Sequence, residues 1–444
     1  MSSAFLTAVV FLLQPAQAPG TPAPVALVGA SVLSMIDQRI APDQTVLIRD
    51  GRIEAVGPRN RVAVPAGVRR IDARGKFLMP GLVDTHVHLE GRPDEWMAIF
   101  LAYGVTTVFN LKGAPEHLAL RARVRRGEQT GPDIYTSGPY TNEPVIKTPE
   151  DARRAVEEQK RAGYDMVKIH GNMTAETHAA LTAAGREFGI PIMGHAPRNL
   201  PFSSVIDVRQ SMVAHGEELI YTQYQSGDTA GLGATAARMA EANVWLTPNL
   251  AMFHGIATQW GRANGADSSL ALPDAAYLNA PLMQIWTKGN PYTGRNPAGA
   301  ANIASRYRFL VTLTKVFADA GVKMLAGTDT PLPLMFPGYS LHDEIEELSA
   351  AGLGPWRALA TATRNPAEWI AAQIDSSYRA GTITPGARAD LLVLARNPLV
   401  ELSTARRPVG VVAAGRWFDE AALERLRNDL AEANRAARTP GGGR

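Results

Sequence analysis

The 444-residue sequence contains no cysteine. That absence excludes disulfides, iron–sulfur clusters, thiolate zinc sites and cysteine nucleophiles, so any metal must be held by histidine, carboxylate or a less ordinary ligand. Charge of one sign is scarce as well: 45 Lys and Arg stand against 42 Asp and Glu, a formal charge of +3, and no basic block is dense enough to follow a phosphate backbone. Nucleic acid is therefore not an expected partner. Long apolar runs are missing too. Residues 5–13, FLTAVVFLL, are too few to span a bilayer, but with Pro15-Ala16-Gln17-Ala18 behind them they suit an export signal over 1–18, although no Lys or Arg precedes them. The expected location is periplasmic or secreted, with the cytoplasm as the alternative, and no membrane span is expected in the mature protein.

What is present reads as a folded enzyme-sized chain, 45% hydrophobic and 20% charged, long enough for one large core or two smaller ones. Between 25 and 70, short β-branched segments and the hairpin signal Asp50-Gly51 predict a small β-sheet. After Pro80-Gly81 apolar strands alternate with helical stretches, the grammar of βα units. Eight strand candidates end at His88, Asn110, Ser137, His170, His195, His215, Pro248 and Asp329, the number a closed (β/α)8 TIM barrel requires. Helices are expected over 149–162 and 175–188. The stretch 249–320 is too long for an ordinary connection and carries Trp260, Tyr277, Trp286 and Tyr292, which predicts a lid or pocket wall. Beyond 375 the sequence returns to strands and turns. The expected organisation is α/β: a small β-sandwich module built from 24–80 and 375–418, a barrel over 81–374, and a C-terminal helix with a mobile tail over 419–444.

Four of the nine histidines, His86, His88, His195 and His215, fall at C-terminal ends of predicted barrel strands, the ends that converge on one mouth. His86 and His88 are two apart, so both project from one face of their strand. Lys168 lies in the apolar strand MVKIH, and Asp329 closes the eighth strand in AGTD. An ammonium cannot ligate a cation, whereas its carbamate offers two oxygens able to bridge two. Asp329 is the acidic residue placed to accept a proton from an attacking water and return it to a leaving amine. Glu217 and Glu218 follow His215 directly and read as supporting or loop residues.

The ordered set PGLVDTHVH, VKIH, MGHA, VAHGEE and AGTD, flanked by IRDGRIEAVG and PGARADLLVL, resembles the amidohydrolase superfamily, and within it the imidazolonepropionase-like and X-prolyl dipeptidase or carboxypeptidase branch that includes ochratoxin-type amidases. The resemblance implies that His86 and His88 bind the more buried of two divalent ions, that Lys168 bridges as an N6-carboxylated lysine, and that His195 and His215 hold the second ion. Asp329 would ligate weakly and carry protons. Zinc is the expected metal, with Mn, Fe and Co as alternatives. The second strand departs from the pattern, ending in Asn110 where relatives often carry an acid.

The activity expected is binuclear hydrolysis of an amide in a short peptide or N-acyl amino acid, through a metal-bridging hydroxide. One alternative is a mononuclear ring hydrolase or deaminase of the imidazolonepropionase kind, with Lys168 a bystander; another is an inactive barrel used for binding or assembly. Candidate substrate contacts are His170, Arg198, Tyr221, Tyr224 and His254, the aromatic members suiting an apolar side chain and Arg198 a carboxylate. The partner is a small-molecule or peptide substrate, and a homo-oligomer is compatible with the sequence.

Overall fold

The computed structural model describes residues 22–262 and 273–438. The expected export signal over 1–18 and the tail 439–444 lie outside the described residues, and among these no helix is long and apolar enough to cross a membrane.

Asp50 and Gly51, at φ 49° and 74°, turn the strand Ile40–Arg49 into Arg52–Pro58, as a tight hairpin with two left-handed residues requires. The strand Val25–Leu33 pairs antiparallel with Ile40–Arg49 on one edge. On the other it runs parallel first to Arg69–Asp72 and then to Phe77–Pro80. Register shifts on either side of Ala30, next to Gly29 at φ 84°, accompany that change of partner and bend the strand. Leu391–Leu394, Gly410–Ala413 and Arg416–Asp419 continue the same sheet through the pairing of Leu391–Leu394 with Phe77–Pro80. The sandwich expected from the sequence is thus one bent eight-stranded sheet, with Leu27, Val46, Leu78, Leu391 and Val412 in its core.

From Leu82 onward the architecture is α/β. Leu82–Val87, Val105–Asn110 and Asp133–Thr136 form one parallel sheet, and Val167–Ile169, Ile192–Gly194, Met212–Ala214 and Trp245–Thr247 form another. Isolated parallel bridges join Ser137 to Met166, Leu246 to Met324 and Val87 to Thr330. The expected eighth strand is an extended segment rather than a regular strand. Lys323 and Leu325 bond to Leu246 on one side, and Ala326 and Asp329 bond to Thr85 and His86 on the other. Ala326 N, however, donates to Thr361 O and so leaves the ladder. One side chain from each of the eight segments (Val83, Phe109, Tyr135, Met166, Met193, Met212, Trp245, Leu325) joins a buried cluster with Trp369 and Ile370.

The helix Pro149–Ala162 is set by its ends. Thr148 and Asp151 exchange side-chain and backbone hydrogen bonds at the start, and Gly163 at φ 90° closes it. Ala175–Phe188 likewise runs from a Thr174 cap to Gly189. The stretch 249–320 is mostly helical among its described residues, with Leu250–Gln259, Ala280–Thr287 and Ala300–Asp319. The C-terminal helix Glu420–Arg438 ties down part of it: Asn434 Nδ2 donates to Ala276 O, and Arg438 Nη2 to Leu278 O.

Candidate active site

At the ends of the first and last extended segments, His86 Nε2 and His88 Nε2 lie 3.2 and 2.8 Å from the same oxygen, Asp329 Oδ1, and His215 Nε2 is 3.8 Å from Asp329 Oδ2. Lys168 Nζ is 3.5 Å from His86 Nε2, and the His195 ring centre is 4.8 Å from that of His215. Small residues make this crowding feasible. A Cβ on Gly194, the residue before His195, would stand 2.7 Å from Lys168 Cδ, and one on Gly327 would stand 2.7 Å from His86 Cβ. His215 and Asp329 are themselves left-handed, at φ 73° and 60°. Such conformations cost a non-glycine residue about 1–3 kcal/mol each and gather at functional sites.

Burial, reinforced for His86 and His195 by the Lys168 charge, pushes the imidazoles of His86, His195 and His215 well below their ordinary pKa and leaves them neutral; for His215 burial outweighs the pull of Asp329. Burial also lowers the Lys168 ammonium to about 8, against the attraction of Asp329 and Glu218. Burial works to raise Asp329, but its contact with His88 and the nearby Lys168 ammonium prevail, so it stays ionised. The Nδ1 atoms of His86, His88 and His215 are buried without a hydrogen-bond partner, that of His215 standing 3.8 Å from Glu217 Oε1. If those Nδ1 atoms carry the protons, the Nε2 lone pairs of His86 and His88 face a carboxylate oxygen, an arrangement a cation between them turns from repulsion into ligation. Ligand atoms of His86, His215 and Asp329 lie within 4.8 Å of one another. The donor set suits a divalent metal ion.

A second ring of groups fixes the first. Glu218, fully buried, faces His195 Nδ1 at 3.0 Å and accepts from Arg198 Nη2 at 2.6 Å. Arg198 also stands over the Tyr221 ring, 4.2 Å from its centre. Asp84, two residues before His86, accepts from His86 N, Thr328 N and Thr328 Oγ1, linking the first segment to the last. Burial outweighs those bonds and raises its carboxyl to about 7. Glu217 is pushed up to about 8 by burial and by Glu218, and its Oε2 has no partner.

The mouth is a cavity of about 400 Å³ lined by His88, His170, His195, His215, Glu217 and Asp329, by Tyr140, Tyr221 and Tyr292, by Glu90, and by Met252, Ile256, Ile285, Pro331 and Leu332. His170 stacks flat on Tyr140 with ring centres 4.3 Å apart. Of the other candidate substrate contacts, Tyr221 lines the mouth and Arg198 stands beside it, tied to Glu218. Tyr224 and His254 are elsewhere. Tyr224 lies past the end of the helix Glu217–Thr222, where its hydroxyl hydrogen-bonds Thr235 Oγ1 at 2.7 Å and its ring meets Phe309. His254 shares a helix with Met252 and Ile256 but sits about 200° around the axis from each, facing a separate cavity and Glu347 at 2.6 Å. Sequence reasoning missed Tyr140, Glu90 and the aliphatic side chains of the mouth, which follow no motif, and the Arg198–Glu218–His195 chain, whose central member Glu218 lies 20 residues beyond Arg198. Asn110 serves structure: its Oδ1 accepts from Leu89 N and its Nδ2 donates to Thr136 Oγ1.

Residues 77–418 match the Amidohydrolase family. An adenine deaminase of Paracoccus denitrificans is 33% identical over 92 residues, 20% of this chain and 15% of that enzyme, so the match spans only a small part of the deaminase. An imidazolonepropionase of Symbiobacterium thermophilum is 25% identical over 397 residues, 81% of this chain and 85% of that enzyme. A solved structure from Bifidobacterium longum, described as a prolidase, is similar with a TM-score of 0.68 at 25% identity, covering 92% of this chain and 99% of its own.

Proposed function

The chain belongs to the Amidohydrolase family, hydrolases of C–N bonds, and from that premise we propose that it is a binuclear metal-dependent enzyme cleaving an amide in a short peptide or N-acyl amino acid. The observation that carries the reading is the convergence of His86, His88 and His215 on Asp329 beside the buried amine of Lys168. We read the two parallel sheets, their connecting bridges and the extended segment 323–329 as a closed (β/α)8 barrel, whose active residues belong at the C-terminal strand ends.

In this reading His86 and His88 hold one divalent ion, His195 and His215 the second, and Lys168, carboxylated, stands between them, with zinc the metal of choice. Its depressed pKa of about 8 supports that role, because the neutral amine is the form that adds to carbon dioxide. When bound, the ions supply Lewis acidity toward the scissile carbonyl and acidify a water. Asp329 supplies the base. Held ionised, it takes a proton at Oδ2, the oxygen that His86 and His88 do not face, and returns it to the leaving nitrogen. Glu218 holds His195 through Nδ1, and Arg198 holds Glu218.

The imidazolonepropionase likeness, extending over 81% of the chain, favours a second reading: a mononuclear ring hydrolase or deaminase in which Lys168 takes no part. One experiment separates the two. Protein loaded with zinc and bicarbonate is assayed for ions per chain, and for amine release from dipeptides and N-acyl amino acids beside ring opening of imidazolonepropionate and deamination of adenine. Two ions with amine release support the binuclear amidase. One ion at saturation, with ring chemistry alone, overturns it.

A further inference from the structure

We propose that the mouth selects amides bearing a bulky apolar group, which lies against a wall made by Met252, Ile256, Ile285 and Leu332; this rests on the amidase reading above. Met252 and Ile256 are four apart on the helix Leu250–Gln259 and so share a face. Ile285 comes from the helix Ala280–Thr287, and Leu332 follows the proton-carrying Asp329 by three residues. All four line the same cavity as His88, His195, His215 and Asp329. Ile256, Ile285 and Leu332 keep part of their surface uncovered toward that space, and aliphatic surface left open in a cavity is stabilised when an apolar ligand displaces water from it.

The wall is anchored before any ligand arrives. Trp286, the neighbour of Ile285, is buried and donates Nε1 to Pro331 O at 2.9 Å, locking the helix Ala280–Thr287 to the segment that carries Leu332. Asn279 caps that helix at Leu282 N and donates Nδ2 to Gly91 O. A wall held in this way costs little ordering on binding. Its four side chains offer a ring nitrogen no donor and, in the Met252 thioether, only a weak acceptor, so they suit an alkyl or aryl substituent better than a polar heterocycle.

Two matched series test the wall: N-acetyl-, N-butyryl- and N-hexanoylglycine, and N-acetyl derivatives of glycine, leucine and phenylalanine. The ratio of kcat/KM between the largest and smallest member should reach about tenfold or more in at least one series, as four partly buried methylenes allow. Ile256→Asn and Ile285→Asn should each compress that ratio, with folding checked by an unchanged circular dichroism spectrum and melting midpoint. Turnover that is flat across both series overturns the proposal. Calorimetric binding of N-hexanoylglycine and N-acetylglycine, and of N-acetylphenylalanine, to the Asp329→Asn protein reads the wall without turnover. If no amide is cleaved, the amidase reading fails; equal affinities across the ligands, or no binding at all, overturn the wall independently.

Discussion

At the start of the strand Asp133–Thr136, Asp133 is buried between two guanidiniums, with Arg388 Nη1 at 2.5 Å and Arg125 Nε at 2.8 Å. Arg388 Nε also stands 2.6 Å from Asp390, off the hydrogen-bond line. At the other end of these segments Asp329 is also buried and faces imidazoles and an amine, with no guanidinium paired to it among the described residues. Both clusters remove carboxylates from water, which is costly unless charge and hydrogen bonds return what was lost. The first returns it: despite burial, Asp133 is held below the usual carboxylate range by Arg388 and Arg125. The second also keeps its carboxylate ionised, but it leaves three imidazole nitrogens without a hydrogen-bond partner, against the one Nε of Arg388 in the first, and two strained backbone positions. A cluster that seals a seam neutralises itself, whereas one built to bind keeps donor atoms open.

The widest gap between the two ends should appear when ligands are removed. His86→Ala should lose metal and essentially all turnover, and chelation of the parental protein should do the same. Lys168→Ala should bind less metal and be nearly inactive, with partial rescue by small carboxylic acids that supply the missing oxygens. Metal counting beside amine release checks all of these. A Lys168→Ala protein with parental metal content and rate would reduce the lysine to a buried bystander.

Asp329→Asn should keep most of its metal and lose on the order of a hundredfold or more in turnover, the usual cost of a missing general base. Turnover near the parental rate would mean that the proton leaves by another group. At the seam the consequence reverses. Arg388→Met removes the charge partner of buried Asp390 and leaves buried Asp133 with Arg125 alone, so urea unfolding should show a loss of about 3–5 kcal/mol, while kcat/KM per folded molecule stays close to parental. A large fall in kcat/KM at full folding would contradict the division of labour between the ends.

Much of this division is legible in the sequence, because it depends on local rules. Period-two alternation puts His86 and His88 on one face, and the small residues Gly194 and Gly327 precede His195 and Asp329 where chains crowd. Thr148, Gly163, Thr174 and Gly189 mark helix ends to the residue. What stays hidden depends on tertiary geometry. Nothing local reports that Ala326 N leaves its ladder for Thr361, that the strand Val25–Leu33 changes partner beside Gly29, or that Glu218 joins Arg198 to His195. Tyr224 and Tyr221 look equivalent in sequence, and only the end of a six-residue helix between them separates core from mouth.

Glu218→Gln probes the support of the site rather than its ligands. Loss of the carboxylate facing His195 Nδ1 should weaken metal binding about 10–100-fold, the usual cost of removing an outer partner. Turnover at saturating metal should fall much less. Competition with a metal-binding dye gives the affinity, and unchanged affinity would reduce Glu218 to an anchor for Arg198.

The smallest effect belongs to a histidine in neither cluster. His254 is about half-exposed and pairs with Glu347, whose hydrogen bond raises the imidazole above its ordinary pKa of 6.5. A group whose folded pKa is raised stabilises the protein fully below its unfolded pKa, and loses that contribution as pH rises through the folded value. His254→Ala should therefore lower stability at pH 6 by no more than about 1 kcal/mol, as for other exposed pairs. The difference from the parental protein should shrink as pH climbs past 6.5 into the alkaline range. Because His254 points away from Met252 and Ile256, kcat/KM on any cleaved amide should change less than twofold, roughly the limit for a surface substitution away from the site. Melting curves at pH 6 and pH 9 beside initial rates check both halves. A several-fold loss of kcat/KM would return His254 to the mouth and show that the helix Leu250–Gln259 turns a second face to substrate.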